Sequence, residues 1–297
     1  MHARSYMDYH SDRFDDTSLL VYRDDKPVGL FPSHRIADEI HSHQGLTYGG
    51  FILIQKLSMN GIIAVIKEVM RHYLQKGAKT ITIKEVPSFY GQSSLEWMPY
   101  CMFLLGAENF RTDLSFAIPL PISSGAYSKG RKWSVNRAKR NGLTVRETQD
   151  FRPFWEEVLV PNLRERHGVE PVHSLEEILW LAGNNKPFIR QFEVLDEGAI
   201  VAGATIYVTK NAAHAQYLAS NARGRKLSAL DLLIDYLVKE QFPQKAFFNF
   251  GIVNEDQGKR INKGLMDWKQ SFGAKPYVHQ FYKIETDRFG LLEEAMR

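Results

Sequence analysis

The 297-residue chain has one cysteine, Cys101, so it holds no intrachain disulfide. Cys101 sits in the apolar stretch Tyr100-Cys101-Met102-Phe103-Leu104-Leu105. An activated thiol needs an electropositive, accessible setting, so a buried and inert one is expected here. No Cys/His spacing of the zinc-binding kind occurs, and no metal site is expected. Long apolar runs are also missing. The longest, 62–66 and 101–105, fall far short of the ~18 residues of a transmembrane helix. The start, Met1-His2-Ala3-Arg4, is polar and lacks the apolar core of a signal peptide. The reading is therefore a cytoplasmic protein without membrane insertion. No RRM, KH or C₂H₂ signature is present, which argues against a nucleic-acid module and against DNA as a partner. The net charge of +4 is mild and fits an anionic partner such as a phosphate-bearing cosubstrate.

What is there is an ordinary globular composition, 44% apolar and 24% charged. The length suits one large domain or two small ones, each with its own core. The pattern repeats internally. In the first half, Leu19-Leu20-Val21-Tyr22 and Val28-Gly29-Leu30-Phe31 flank the turn Arg23-Asp24-Asp25-Lys26, which reads as a β-hairpin. An extended stretch, 39–48, follows, then Gly49-Gly50. A helix is expected over 58–75, with Ile62, Ile63, Ile66, Val69, Met70 and Tyr73 on one broad face and Gly77 as its stop. Thr80-Ile81-Thr82-Ile83 closes the unit as a strand.

The second half runs in the same order. Strands are expected over 192–194, 200–208 and 213–218, then a polar loop over 220–226, a helix over 228–239 and a strand over 246–250. Gly29 and Gly203 hold matching strand positions, and Lys56-Leu57-Ser58 mirrors Lys226-Leu227-Ser228. Matched order over some sixty residues points to two related domains. Pro, Ser and Gly cluster over 119–130, as at a boundary. The expected division is 1–120, a linking segment 121–150, and 151–297. The linking segment carries a basic helix from Lys129 to Arg140 with Trp133 as an anchor, Gly142 as its stop, and a strand at Leu143-Thr144-Val145-Arg146. Another helix is expected over 151–166.

One segment invites an anion. Gln216-Tyr217-Leu218-Ala219-Ser220 leads into Asn221-Ala222-Arg223-Gly224-Arg225-Lys226 and then a helix. Free N–H groups at a helix start bind phosphates, basic side chains add charge, and Gly224 permits close backbone approach. An equally simple reading is a solvated turn with Ser228 as N-cap. Elsewhere, Asn249, Asn254, Glu255 and Asp256 stand at the carboxyl end of the last strand, where open α/β sheets place ligands. His41 and His43, spaced by two, with Gln44, Thr47 and Tyr48, are candidates to line an acceptor pocket.

The strand, basic glycine loop, helix and strand resemble the acyl-CoA pyrophosphate site of the GNAT N-acetyltransferases. Arg223-Gly224-Arg225-Lys226-Leu227 carries one glycine of that R/Q-x-x-G-x-G/A signature and lacks the second. The run Phe248-Asn249-Phe250-Gly251-Ile252-Val253-Asn254-Glu255-Asp256, followed by Gly264-Leu265, Trp268-Lys269 and Phe272-Gly273-Ala274, resembles the C-terminal region of Fem-type acyltransferases, which pair two GNAT-like domains. Ser42-His43-Gln44-Gly45-Leu46-Thr47-Tyr48-Gly49-Gly50 and Ser128-Lys129-Gly130-Arg131 are similar to segments of the same group. The resemblance covers nearly the whole chain. It implies tandem GNAT-like α/β domains, each a mixed, mostly antiparallel sheet flanked by helices. The chain opens with a helical stretch, 4–14, where that pattern has a preceding element, so a trimmed or incomplete first domain is expected.

The implied activity is transfer of an acyl group from acyl-CoA, such as acetyl-CoA, to a small-molecule amine by direct attack in a ternary complex. No Ser or Cys nucleophile with a positioned base is evident, and no tightly bound cofactor is expected. Lys269 is implied at the acyl-transfer site as an oxyanion stabiliser; its plain alternative is a surface lysine. Glu255 or Asp256 is a candidate base for the amine. Tyr217 is a candidate general acid or a packed core tyrosine. Asn221, Arg223, Gly224, Arg225 and Lys226 are expected at the cosubstrate phosphates; His43, Tyr48, Asn249 and Asn254 are expected at the acceptor. Two alternatives stand beside this: a Fem-like aminoacyltransferase using aminoacyl-tRNA, and a non-catalytic metabolite- or partner-binding protein.

Overall fold

A computed structural model describes residues 2–91 and 94–296. The chain forms two compact units. The first comprises Met1–Leu114, Asp256–Arg260 and Val278–Arg297, and the second Ser115–Glu255 and Ile261–Tyr277.

In the first unit, Leu19–Arg23 and Lys26–Phe31 pair as the expected hairpin. Asp24 and Asp25 both take positive φ at its turn, the conformation that matches the strands' right-handed twist. Ile52–Leu53 adds a third strand. The helix Met59–Gln75 begins at Ser58, whose hydroxyl accepts from the Gly61 N–H, and is followed by Gly77 at φ 77°. Its buried residues include Ile62, Ile63, Ile66, Val69, Met70 and Tyr73, an apolar stripe of helical period. The helix links Glu39–His41 to Thr80–Lys84, which pair in parallel from Glu39↔Thr80 to His41↔Thr82. Parallel neighbours need such a crossover. The expected strand 39–48 stops at His41. His43 turns at φ 53°, and the backbone rejoins the sheet where the Gly49 N–H donates to the Lys84 carbonyl.

Residues 281–285 pair antiparallel with Thr80–Lys84, and Ile284 and Leu292 enter the core around Ile66 and Ile81. That pairing draws Val278–Arg297 into the first unit, while 115–150 belong to the second. The helix expected over 4–14 is short, Arg4–Met7 and a 3₁₀ turn at Asp8–His10, before the strand Asp15–Asp16 pairs with His34–Ile36.

In the second unit the strands Thr144–Thr148, Ile189–Asp196, Ala199–Val208 and Ala212–Ser220 are antiparallel neighbours. Phe247–Ile252 lies parallel to Ala212–Ser220, with residues 115–119 antiparallel on its other side. The helix Ala229–Tyr236, continued through Gln241, makes the crossover. Each unit is thus a mixed, mostly antiparallel sheet with helices, the tandem α/β architecture. The paired glycines make room for neighbours. A Cβ on Gly203 would lie 2.4 Å from the Phe154 ring, and one on Gly29 would lie 2.9 Å from Leu53.

Two local readings change. Residues 222–227 form a helix, Ala222–Leu227, in place of a loop. Trp133, expected to anchor the basic helix Lys129–Arg140, is exposed, with the Arg137 guanidinium 4.9 Å over its ring; Val135 and Ala138 are the buried contacts. Among the described residues, no helix is long and apolar enough to cross a membrane.

Candidate active site

The two parallel strands of the second unit keep company only briefly. Ala212–Ser220 and Phe247–Ile252 pair at Ala212↔Phe247, Ala213↔Phe248 and His214↔Asn249, and then part. Beyond that point 215–220 pairs with no further strand on this edge among the described residues, and the Ser220 carbonyl accepts instead from Arg225 and from the Asn162 amide. On the other edge of Ala212–Ser220 the register slips between Thr205↔Tyr217 and Ile206↔Ala215, leaving Gln216 as the extra residue. Such a bulge bends a strand and re-aims its side chains.

Polar side chains hold the point of divergence. The Asn249 Oδ1 accepts from the Ser115 hydroxyl at 3.0 Å and from the Gly251 N–H at 2.9 Å. Both are donors, so the amide nitrogen faces His214 Nδ1, 2.9 Å away. His214 Nδ1 therefore accepts, and the ring proton sits on Nε2. Burial and the nearby Lys269 charge lower the His214 pKa to about 4, so the imidazole is neutral at pH 7. Beyond Asn249 the strand kinks: Gly251 takes φ 76°, and the register against 115–119 shifts before Ile252.

Lys269 holds that kink. It is 3% exposed on the helix Lys263–Gln270, and its Nζ donates to the carbonyls of Phe250 at 3.0 Å, Gly251 at 3.0 Å and Ile252 at 2.7 Å. Burial lowers its pKa to about 7, while the three carbonyls favour the charged form. All three ammonium protons thus have backbone acceptors, and Lys269 is neither a surface lysine nor aimed at open space.

The basic segment is likewise occupied by its own unit. The Asn221 Oδ1 caps the Gly224 N–H at 2.9 Å, and its amide donates to the Ile200 carbonyl. Arg223 pairs with Asp196 and reaches Glu197, and Arg225 donates to the Ser220 carbonyl at 2.9 Å. Arg137 donates to the Lys226 carbonyl and, at 3.2 Å, to the Ser228 hydroxyl. A Cβ on Gly224 would meet the Val201 carbonyl at 2.2 Å, so the glycine serves close packing against a strand.

The Tyr217 hydroxyl accepts from the His173 N–H at 3.2 Å and lies 2.6 Å from His173 Nδ1, with the Trp155 ring 5.0 Å away edge-on. Asn254 is buried; Glu255 is exposed and accepts from the Asn262 amide at 3.4 Å. His43 and Tyr48 lie in the first unit, both buried. His43 is ringed by His10, Phe14 and His34, and Tyr48 stacks on Tyr90 at 4.2 Å. Burial lowers the His43 pKa to about 4 and raises that of Tyr48.

The structure therefore gathers Asn249, Lys269 and, unforeseen, His214 and Ser115 around one strand divergence. His214 was discoverable as the lone histidine in the apolar strand Ala212–Ser220. A second unforeseen group is the buried pair of Arg131 and Asp231, which Trp268 Nε1 joins at 3.3 Å and Ser271 joins through Arg131 Nε at 2.9 Å.

No known protein family matches the sequence, and no curated protein does. Solved structures are similar throughout. The crystal structure of FemX is 13% identical, covers 95% of this chain and 91% of its own, and superposes with a TM-score of 0.71. The C-terminal domain of a putative lysylphosphatidylglycerol synthetase from Agrobacterium fabrum is 14% identical over 99% of this chain and 94% of its own, with a TM-score of 0.62. L-PGS from Bacillus licheniformis is 14% identical over 98% and 96%, with a TM-score of 0.61. At these identities the likeness is one of architecture: the chain shares the fold of FemX and of these two synthetase structures.

Proposed function

We propose that the chain is an acyltransferase that moves an acyl group to an amine by direct attack. The observation that carries this reading is the parting of the two parallel strands beside a satisfied polar cluster. A strand edge opened inside a sheet suits an extended donor arm, which lies along 215–219. The amine attacks the donor carbonyl, the C–N bond forms, and the bond to the leaving sulfur or oxygen breaks. The amine proton passes to a carboxylate such as Glu255, directly or through water. Tyr217, with His173 behind it, returns a proton to the leaving group. Lys269 acts as a positioning residue that fixes the carbonyls of 250–252, and Asn249 fixes His214. Asn254 belongs to the acceptor side, while the packed rings of His43 and Tyr48 shape their own loop in the first unit.

The donor has two readings. Acyl-CoA follows from the GNAT resemblance, with Asn221, Arg223, Gly224, Arg225 and Lys226 at its phosphates. A donor without that pyrophosphate contact, an aminoacyl ester on tRNA, is favoured by one observation: the side chains of Asn221, Arg223 and Arg225 already have partners within their own unit, and Gly224 packs against Val201.

The test is transfer of labelled acyl groups to an amine panel from acetyl-CoA and from aminoacyl-tRNA, with and without RNase, in wild type and Asn249→Ala. Transfer from either donor that falls at least ~100-fold in the variant supports the reading, since a lost positioning or oxyanion group is worth about that much. RNase sensitivity separates the donors. Absence of transfer from both would favour a binding protein without catalysis.

A further inference from the structure

The second unit contains a cavity of about 390 Å³ whose lining the acyl-transfer reading does not use. Three pieces of chain enclose it: the turn 122–127, one face of the basic helix Lys129–Arg140, and the end of the crossover helix at Asp235 and Lys239. Lys132, Val135, Asn136 and Lys139 follow helical spacing, so they share one face. Asp235 lies seven residues past Ser228, ~10 Å along the helix axis, well away from the basic segment 221–228.

The floor is apolar and the rim is cationic. Tyr127 and Val135 are buried. Lys132, Lys139 and Lys239 line the rim with one carboxylate, Asp235, which is 1% exposed. Three ammonium groups against one carboxylate leave a surplus of two positive charges. Asp235 holds two of the lysines in place: Lys139 at 2.9 Å, and Lys239, whose Nζ also stands 4.6 Å over the Tyr127 ring. Burial pushes the Asp235 carboxyl up, but hydrogen bonds from both lysines outweigh it and the pKa is lowered. The buried carboxylate thus stays ionised as a fixed anchor. Each lysine has three N–H donors and gives one to Asp235. Lys132 makes no ion pair among the described residues, and the Ser123 and Ser124 hydroxyls make no side-chain hydrogen bond among them either. Gly125, at φ 104°, has no atom within 4 Å of the place a Cβ would take, so the turn is open.

We propose that this cavity binds a small phosphate monoester, its phosphate toward Lys132, Lys139 and Lys239 and its organic body over Tyr127 and Val135. A phosphate monoester carries −1.5 to −2 charges near neutral pH, which matches the surplus. Ser and amide donors suit its remaining oxygens, and the volume lies at the small end of ligand pockets, ~300–1,000 Å³. The inference does not depend on acyl transfer.

The full-length chain, isotope-labelled, is titrated with inorganic phosphate and separately with AMP while backbone amide resonances are followed. The expected result is perturbation confined to 123–127, 132–139 and 235–239, with AMP binding more tightly than phosphate. Lys132→Glu, on an exposed residue, should weaken both by at least ~tenfold, ~1.4 kcal/mol, without lowering the melting temperature. Absence of shifts at these amides with millimolar ligand, or shifts that Lys132→Glu leaves unchanged, would overturn the proposal. Shifts caused by a single-stranded RNA oligonucleotide but by neither small ligand would also overturn it, in favour of an RNA contact.

Discussion

Replacing Lys269 by methionine keeps an unbranched stem and removes the ammonium. The carbonyls of Phe250, Gly251 and Ile252 then lose their common donor. A buried, unsatisfied polar group costs ~1–3 kcal/mol. Three of them, partly offset because a charge no longer has to be buried, leave a loss of ~3 kcal/mol. At pH 6 the lysine is charged in both the folded and unfolded chain, so the comparison there is clean. Urea unfolding should show a midpoint lower by ~1–3 M, taking a slope of ~1–3 kcal/mol per M. Hydrogen exchange should report the same loss locally, at the amides of Gly251 and Ile252. The pH dependence adds an independent check. The folded pKa is about 7 against an ordinary 10.5. Between those values the unfolded chain binds more protons than the folded one, so wild-type stability rises with pH across that window. The methionine variant should lack that rise. A variant equal to wild type in midpoint and in exchange at Gly251 would refute the claim that Lys269 holds the kink.

Further outcomes are expected. Gly224→Ala places a methyl 2.2 Å from the Val201 carbonyl; thermal melting should fall by an amount equal to ~1–3 kcal/mol, as for overpacking. Asp231→Asn leaves the Arg131 guanidinium, 13% exposed, without its counter-charge; a loss of ~3 kcal/mol is expected by denaturant titration. Trp133→Ala removes an exposed ring and should change stability by no more than ~0.5 kcal/mol. Asn249→Ala, besides its effect on transfer, frees the His214 Nδ1, so the imidazole tautomer seen by nitrogen NMR should become mixed.

Long periodic segments were readable from the residues. The helix Met59–Gln75 is marked by Ser58, its apolar stripe and Gly77, and the helix Lys129–Arg140 by Ser128 and Gly142. Short pieces were not. The helix Ala222–Leu227 is six residues long and basic, and its stability rests on the Asn221 cap and on Gly224 lying against Val201, a tertiary contact. The helix Leu175–Asn184 carries a capping box at Ser174 and Glu177, a start signal written in the residues themselves. Lys269 was singled out by its neighbours Phe272-Gly273, yet its three carbonyl partners lie 17 to 19 positions earlier in the chain. Sequence spacing holds no trace of such a meeting. His214 went unremarked because its significance depends on Asn249 across the strand pair.

The interleaving of the two units in the chain has a consequence for biosynthesis. Thr80–Lys84 leaves the ribosome long before residues 281–285, the strand that pairs with it, exist. Ile284 and Leu292 are missing from the first core for the same interval. The second unit can close on itself once residue 277 has emerged. The half that is translated first is therefore the half that finishes last, and a ribosome stalled anywhere before residue 285 holds an N-terminal unit with an unpaired strand.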